Sequence, residues 1–271
     1  MINILPALLL IVLLNSIIWF AISIIIKRND VADISWGLSF MIVTAYCYLT
    51  LGGHNARELI VSSLVLIWGT RLALHVLIRN RSKAEDPRYA KWREEWGKFF
   101  YFRSFLQVYI LQGIIMLIIV SPVYINYLYP GSELSLLDIA GILIWITGFV
   151  FEALGDYQLA VFLKDPGNKG KIMNKGLWKY TRHPNYFGEV TMWWGIFIIT
   201  LSSTKGVFGI FSPLAITYLL LCVSGIPMLE KRYKDNKDFQ EYKRKTSPFF
   251  PLINGVTHKE AHVNKWGQTR K

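Results

Sequence analysis

Long apolar runs alternate with shorter polar segments along the whole chain, and this alternation predicts a helical membrane protein. Each run contains about twenty residues, the length that an α-helix needs to cross the hydrocarbon core of a bilayer. The pattern predicts about seven spanning helices. Their expected bounds are 4–26, 34–51, 59–79, 105–128, 135–155, 185–203 and 207–228.

The basic residues predict which side of the membrane each connection occupies. Four segments hold 27 of the 30 lysines and arginines, namely 27–33, 79–103, 156–183 and 229–271. With seven spans all four segments fall on one side, and the positive-inside rule makes that side cytoplasmic. We therefore expect an all-α polytopic protein with its N-terminus outside and its C-terminus in the cytoplasm.

Composition narrows the class of function. The chain has 271 residues, is 53% hydrophobic and carries a formal net charge of +12. In a soluble protein this charge would favour nucleic acid as a partner. Here the basic residues separate apolar runs, so we predict a lipid bilayer as the partner and no nucleic acid. The five histidines and two cysteines show no HExxH or histidine-box spacing, so no metal site is predicted.

Ionisable residues inside the spans are costly in lipid and are expected to face a cavity or a partner. Arg71 either pairs with a carboxylate within the bundle or lines a polar cavity. Glu152 and Asp156 lie four residues apart near the end of the fifth span, where they could accept hydrogen bonds from an amide or a ribose hydroxyl. The alternative is that both are helix-end residues near water.

A dense polar turn lies within segment 79–103, most of which is typical of a surface helix with aromatic anchors at the headgroup level. Its core, AEDPRY, arranges charged residues and Tyr89 around Pro87, where we expect a helix break. A turn of this kind can close over a ligand, and Tyr89 is one candidate proton donor.

The sequence RHPNYFGE places hydrogen-bonding side chains where the sixth span begins. Proline disfavours the α conformation in the preceding residue and suits the first turn of a helix, so this helix is expected to begin at Pro184. Arg182, His183 and the positive helix end would then form an anion site with the lysines of the preceding loop. Those lysines are Lys164, Lys169, Lys171, Lys175 and Lys179. The alternative is that the lysines only set the topology.

One face of the same helix carries Asn185, Glu189 and Trp193, which are spaced four residues apart. Gly188 allows the close approach of another backbone or of a flat ligand. This part of the sequence therefore combines basic residues for phosphate, the amide of Asn185, the carboxylate of Glu189 and an apolar helix face. Such a combination suits an amphipathic cofactor with a charged end. Alternatively, Glu189 is paired within the bundle.

A second polar patch follows the seventh span. Glu230, Arg232 and Tyr233 come first, followed by Tyr242 and the sequence SPFFP, which ends the helix. We expect Glu230, Tyr233 and Tyr242 to fold back over the RHPNY sequence.

Several stretches resemble a known family. GLWKYTRHPNYFGE, GDYQLAVFLKDPGN, VSGIPMLEKR and EDPRYAKWREEWG resemble a bacterial membrane family of unassigned function that is grouped with the steroid 5-alpha-reductase C-terminal domain. The sequence is also similar to the sterol reductases, and its RHP-x-Y core is shared with isoprenylcysteine carboxyl methyltransferases. The resemblance implies a seven-span reductase of the bacterial cytoplasmic membrane. It would form one domain over 1–253, with NADPH held in the cytoplasmic half at about 135–253, followed by a mobile basic tail over 254–271.

The resemblance also implies roles for single residues. Asn185, Gly188 and Glu189 match the cofactor-facing sequence of the family, and Tyr186 matches its RHPNY form. Including the residues expected from their position, the candidate cofactor contacts are Asp156, Lys164, Lys179, Arg182, His183, Asn185, Gly188, Glu189, Glu230, Arg232 and Tyr233. The steroid 5-alpha-reductases carry a Gln-Glu pair in the second span that engages the substrate ketone. The predicted second span of this chain contains no such pair, and Asp33, Trp36 and the EDPRY turn are the polar candidates instead.

Three functions remain open at this point. The first is an NADPH-dependent reductase of a lipophilic enone or alkene, with Tyr89 or Tyr186 as proton donor and Glu189 beside the nicotinamide. The second is a methyltransferase that uses S-adenosylmethionine, a cofactor that carries no phosphate and does not require the lysines. The third is a membrane scaffold without enzymatic activity.

Overall fold

The computed structural model describes residues 4–53, 55–81, 83–131 and 133–252. Within these ranges the chain is helical and contains no β-strand, apart from an isolated parallel bridge between Thr181 and Ser247. The tail predicted for residues 254–271 lies outside the described residues.

The described part of the chain forms twelve α-helices. In chain order these are α1 (Leu5–Ile26), α2 (Ala32–Leu51), α3 (Ala56–Arg81), α4 (Pro87–Trp96), α5 (Phe100–Ser104), α6 (Leu111–Ile119), α7 (Ser121–Leu128), α8 (Leu136–Lys164), α9 (Pro184–Thr200), α10 (Phe211–Tyr218), α11 (Ile226–Arg232) and α12 (Lys237–Lys245). Two π-helical turns, Phe105–Ile110 and Leu219–Val223, keep the run from α5 to α6 helical and continue α10 toward α11.

Six helical runs among the described residues are long and apolar enough to cross a bilayer. They are Leu5–Ile26, Asn29–Leu51, Ala56–Arg81, Pro87–Ile119, Leu136–Lys164 and Gly206–Arg232. The predicted sixth span, 185–203, is the one outside this set; it corresponds to α9, whose 17 residues lie at the lower limit of what can cross. The chain is therefore an all-helical, multi-pass integral membrane protein, as predicted, while the orientation of its termini stays a prediction.

Two helix boundaries differ from those expected. Pro87 begins a helix instead of only breaking one, because a proline at the first helical position loses no hydrogen bond. The carboxylate of Asp86 caps this helix by accepting a hydrogen bond from the amide of Arg88 at 2.8 Å. The fifth span continues to Lys164, since no glycine or proline interrupts 156–164, and Asp156 therefore lies inside α8.

The described residues form two compact units. The first contains the residues up to Phe149 together with Glu189–Leu219, and the second contains Val150–Gly188 together with the described residues from Leu220 onward. Helices α8 and α9 contribute to both units. The single domain expected over 1–253 stays a prediction, because this division does not show whether the units fold separately.

The first unit has an aromatic core inside its helix bundle. The rings of Phe40, Trp68 and Trp193 lie 5.0–5.3 Å apart, mostly edge to face. Pairs of this kind contribute about 0.5–1.5 kcal/mol each beyond the burial of their area. Gly37 permits this packing, because a Cβ at that position would lie 2.9 Å from the carbonyl oxygen of Gly69.

The second unit is built around the indole of Trp178, which is buried. Its Nε1 donates a hydrogen bond to the carbonyl oxygen of Gly155 in α8 at 3.1 Å. The amide of Leu177 donates to Oε1 of Gln158 at 2.9 Å, one turn further along the same helix. These bonds hold the irregular chain before α9 against the end of α8.

Candidate functional site

Helix α9 begins at Pro184, as the sequence predicts. The carbonyl oxygen of His183 accepts a hydrogen bond from the amide of Phe187 at 3.0 Å, so the helical pattern starts immediately after the His-Pro bond. Gly155 of α8 packs against this first turn, where a Cβ would lie 3.2 Å from the ring of Pro184 and 3.3 Å from the amide of Asn185. The glycine therefore lets the two helices approach closely at Asn185.

Asn185 carries the most informative contact in the second unit. Its Nδ2 donates a hydrogen bond to Oδ1 of Asp156 at 3.1 Å, and the side chain of Asp156 is buried. Because Nδ2 is the end of the amide that faces this carboxyl group, the amide oxygen lies at the other end of the side chain. That oxygen, Oδ1 of Asn185, is buried and has no hydrogen-bond partner among the described residues. A buried acceptor without a partner is costly, and a ligand that donates a hydrogen bond would remove the cost.

The loop between α8 and α9 provides the positive charge. Five lysines are exposed here and form no ion pair within the described residues: Lys164, the last residue of α8, and Lys169, Lys171, Lys175 and Lys179 of the loop. The nearby carboxylate of Asp165 is used locally, since it accepts a hydrogen bond from the amide of Gly167 at 2.9 Å. The lysines therefore remain available to an anionic group.

Arg182 points into the protein and not toward solvent. Only 6% of its side chain is exposed. Its Nε donates to Oε1 of Glu230 at 2.8 Å, and its Nη1 donates to the backbone carbonyl oxygens of Lys243 and Thr246. These contacts join Arg182 to Glu230 and to the backbone of the second unit, and the phosphate contact expected from the sequence stays a prediction.

His183 shares the carboxylate of Glu230. Its Nε2 lies 3.3 Å from Oε1 of Glu230, and its ring stacks on Tyr186 with centroids 5.4 Å apart. Burial lowers the pKa of His183 below its usual 6.5, although Glu230 partly offsets this effect. The Nζ of Lys243 completes the group at 2.8 Å from Oε2 of Glu230.

The other candidates from the sequence occupy varied positions. Tyr233 is 42% exposed and stacks on Phe239 with centroids 5.1 Å apart, and Arg232 is exposed at the end of α11. Gly188 is buried in α9. Glu189 is half-buried one turn after Asn185 in the same helix and belongs to the first unit.

A separate polar cluster in the first unit contains Tyr89. This residue is 2% exposed, and its hydroxyl donates to Oδ1 of Asp33 at 3.1 Å. The guanidinium groups of Arg88 and Arg79 lie 3.5 Å and 3.7 Å from the other oxygen of Asp33. The sequence named Asp33 and Tyr89 as polar candidates, but nothing in their spacing of 56 residues predicted that they pair.

Sequence reasoning missed the contacts that join the end of the chain to the loop before α9. The hydroxyl of Tyr242 donates to the carbonyl oxygen of Trp178, and Oγ1 of Thr181 donates to that of Phe249 at 2.8 Å. The sequence analysis expected Tyr242 to fold back over the RHPNY sequence. It could not predict the acceptor, because no sequence pattern identifies the backbone carbonyl of Trp178 as a partner. The sequence SPFFP was the signal that the chain turns here.

Comparison with known proteins identifies the family. The family model described as a protein of unknown function, DUF1295, matches residues 19–246. The chain is 34% identical to the 3-oxo-5-alpha-steroid 4-dehydrogenase 1 of Mus musculus over 79 residues, which are 29% of this chain and 31% of the relative. It is 35% identical to the protein of the same name from Rattus norvegicus over 75 residues, which are 27% of this chain and 29% of the relative. The matched stretches thus cover less than a third of each relative. No solved structure matches the chain significantly.

Proposed function

The chain belongs to the DUF1295 family, and we propose that it is a membrane-bound, NADPH-dependent reductase that acts on the carbon–carbon double bond of a lipophilic enone or alkene. The similarity to two 3-oxo-5-alpha-steroid 4-dehydrogenases supports the reaction class. The multi-pass helical fold supports a substrate that partitions into lipid.

The observation that carries the proposal is the buried, unpartnered Oδ1 of Asn185. The cofactor NADPH has a carboxamide that both donates and accepts hydrogen bonds. Asn185 supplies the acceptor, and Asp156 holds the asparagine side chain in one orientation. The residues present therefore fit the uncharged end of this cofactor.

The lysine-rich loop fits the charged end. NADPH carries a pyrophosphate and a 2′-phosphate, and five exposed lysines within 164–179 can neutralise these groups. We assign Lys164 and Lys179 to the phosphates. S-adenosylmethionine has no phosphate, so this loop favours the reductase over a methyltransferase.

When bound, NADPH supplies the hydride to one carbon of the double bond. The protein must then deliver a proton to the other end of the reacting system. We assign this role to Oη of Tyr186, which lies in the same unit as Asn185 and whose ring stacks on His183. Tyr89, the other donor named from the sequence, belongs to the first unit, where its hydroxyl donates to Asp33.

Binding of NADPH and of S-adenosylmethionine to the detergent-purified protein, measured by calorimetry, tests the proposal. Asn185→Ala removes the buried acceptor and is expected to weaken NADPH binding by about 1–3 kcal/mol, or roughly 5- to 150-fold. Asn174→Ala is the matched control, because Asn174 is an exposed asparagine of the same unit.

The outcomes separate the candidate functions. NADPH binding that Asn185→Ala weakens and Asn174→Ala preserves would establish the cofactor site. Binding of S-adenosylmethionine alone would favour a methyltransferase, and binding of neither compound would favour a scaffold. The role of Glu189 beside the nicotinamide stays a prediction, with Glu189→Ala as its own test.

A further inference from the structure

One carboxylate joins three separate parts of the second unit. Glu230 lies in α11, and its side chain is 10% exposed. It contacts Arg182 at 2.8 Å, His183 at 3.3 Å and Lys243 of α12 at 2.8 Å. Arg182 and His183 immediately precede α9, so Glu230 ties the start of that helix to α11 and to α12.

The end of the described chain strengthens the same connection. We call residues 237–252 the C-terminal arm and residues 178–183 the entry segment. Backbone hydrogen bonds link them, because the amide of Arg182 donates to the carbonyl oxygen of Ser247 at 2.8 Å and the amide of Leu252 donates to that of Tyr180 at 3.1 Å. Side chains add further links, including the bond from Tyr242 to the carbonyl oxygen of Trp178.

The entry segment needs these bonds, because it contains only a short 3-10 turn that ends at Lys179. Its next residues lead directly into Pro184 and Asn185. A shift of the entry segment would therefore move Oδ1 of Asn185, the acceptor on which the cofactor site depends. The bond from Asn185 to Asp156 fixes the side chain, whereas the arm and Glu230 fix the backbone that carries it.

We propose that Glu230 is a positioning residue that holds the start of α9 in its cofactor-binding place through Arg182, His183 and the C-terminal arm. This role rests on the proposed function. It replaces the direct cofactor contact that the sequence indicated for Glu230, Arg182 and His183. Nε of Arg182 and Nε2 of His183 both contact Oε1 of Glu230, and a carboxylate would repel the phosphates of a nucleotide.

The test compares three variants of the full-length protein in detergent. Glu230→Ala removes the carboxylate, Glu230→Gln keeps an oxygen that can accept from Arg182, and Glu241→Ala is the matched control. Glu241 also pairs with a lysine of the arm, Lys245, but it lies on the exposed face of α12. The readouts are the Kd for NADPH, measured well below the melting temperature, and amide hydrogen exchange over 178–187.

We expect Glu230→Ala to weaken NADPH binding about tenfold or more and to speed exchange in the entry segment. Glu230→Gln should recover most of the affinity, and Glu241→Ala should match the wild type in both measurements. A general loss of stability would leave the Kd of the folded protein unchanged, so a raised Kd measured well below the melting temperature indicates positioning. If Glu230→Ala does not fold, Tyr242→Phe is the second variant, with an expected loss of about threefold.

Two negative results have different meanings. Wild-type NADPH binding that Glu230→Ala leaves unchanged would overturn the positioning role and leave the proposed function standing. Absence of NADPH binding by the wild type would overturn the proposed function, and the role of Glu230 with it.

Discussion

Replacing Arg182 by alanine removes a buried cation from the second unit. With the guanidinium, the protein loses the bond to Glu230 at 2.8 Å and the bonds to the carbonyl oxygens of Lys243 and Thr246. Both side chains of the ion pair are at most 10% exposed, so water cannot easily replace the lost partner.

The expected cost follows from that burial. Breaking a buried ion pair by removing one partner costs about 3–5 kcal/mol, because an uncompensated charge remains. Here Glu230 keeps Lys243, whose side chain is 46% exposed and admits solvent. We therefore expect the lower end of this range, about 3 kcal/mol, which corresponds to a melting temperature lower by about 6–12 °C.

Thermal unfolding of the detergent-purified protein measures this effect. Arg244→Ala is the matched control, because Arg244 is an exposed arginine of α12, and it should change the melting temperature by less than about 2 °C. Arg182→Lys should recover part of the loss, since an ammonium reaches fewer of the acceptors. Equal melting temperatures for Arg182→Ala and Arg244→Ala would refute a stabilising role for the buried pair.

Further predictions concern pH, charge, catalysis and topology. Burial lowers the pKa of His183, so as the pH falls below about 6.5 the unfolded state binds a proton more readily than the folded state and stability decreases. In melting curves recorded over a pH series, His183→Asn should therefore lose less stability than the wild type as the pH falls. Lys164→Gln combined with Lys179→Gln should raise the Kd for NADPH and reduce its salt dependence, measured by calorimetry from low to high salt. Tyr186→Phe should retain NADPH binding while its turnover falls by about 10²–10⁴-fold in an NADPH-oxidation assay with an enone. A cysteine at Lys171 should react with an impermeant thiol reagent only from the cytoplasmic side, and labelling from outside would contradict the orientation.

Much of the membrane architecture is a local property of the sequence. Apolar runs of about twenty residues form helices because lipid leaves no other way to satisfy the backbone. The start of α9 at Pro184 was likewise predictable, since the restrictions that proline imposes act between neighbours. The sequence analysis ended the fifth span at residue 155 because the polar residue Asp156 follows. In the structure α8 continues to Lys164, two residues before Pro166.

Pairing between distant residues was not predictable in this way. The sequence assigned Arg182 to a phosphate because it sits among lysines before a helix, but in the structure its partner is Glu230, 48 residues away. Local charge alone cannot distinguish an arginine that faces solvent from one that a distant carboxylate draws into the protein. The same limit applies to Tyr89 and Asp33, whose contact depends on how α4 meets the start of α2.

The sequence by itself determined the class of the protein, the approximate spans and the candidate polar side chains, because these depend on hydropathy, charge and neighbour effects. Only the tertiary structure decided how those side chains are used. It left Oδ1 of Asn185 buried without a partner and placed Arg182 and His183 on one carboxylate. The physical reason is that hydrogen bonds and desolvation act over a few ångströms in space, and which residues come within that distance depends on packing along the whole chain.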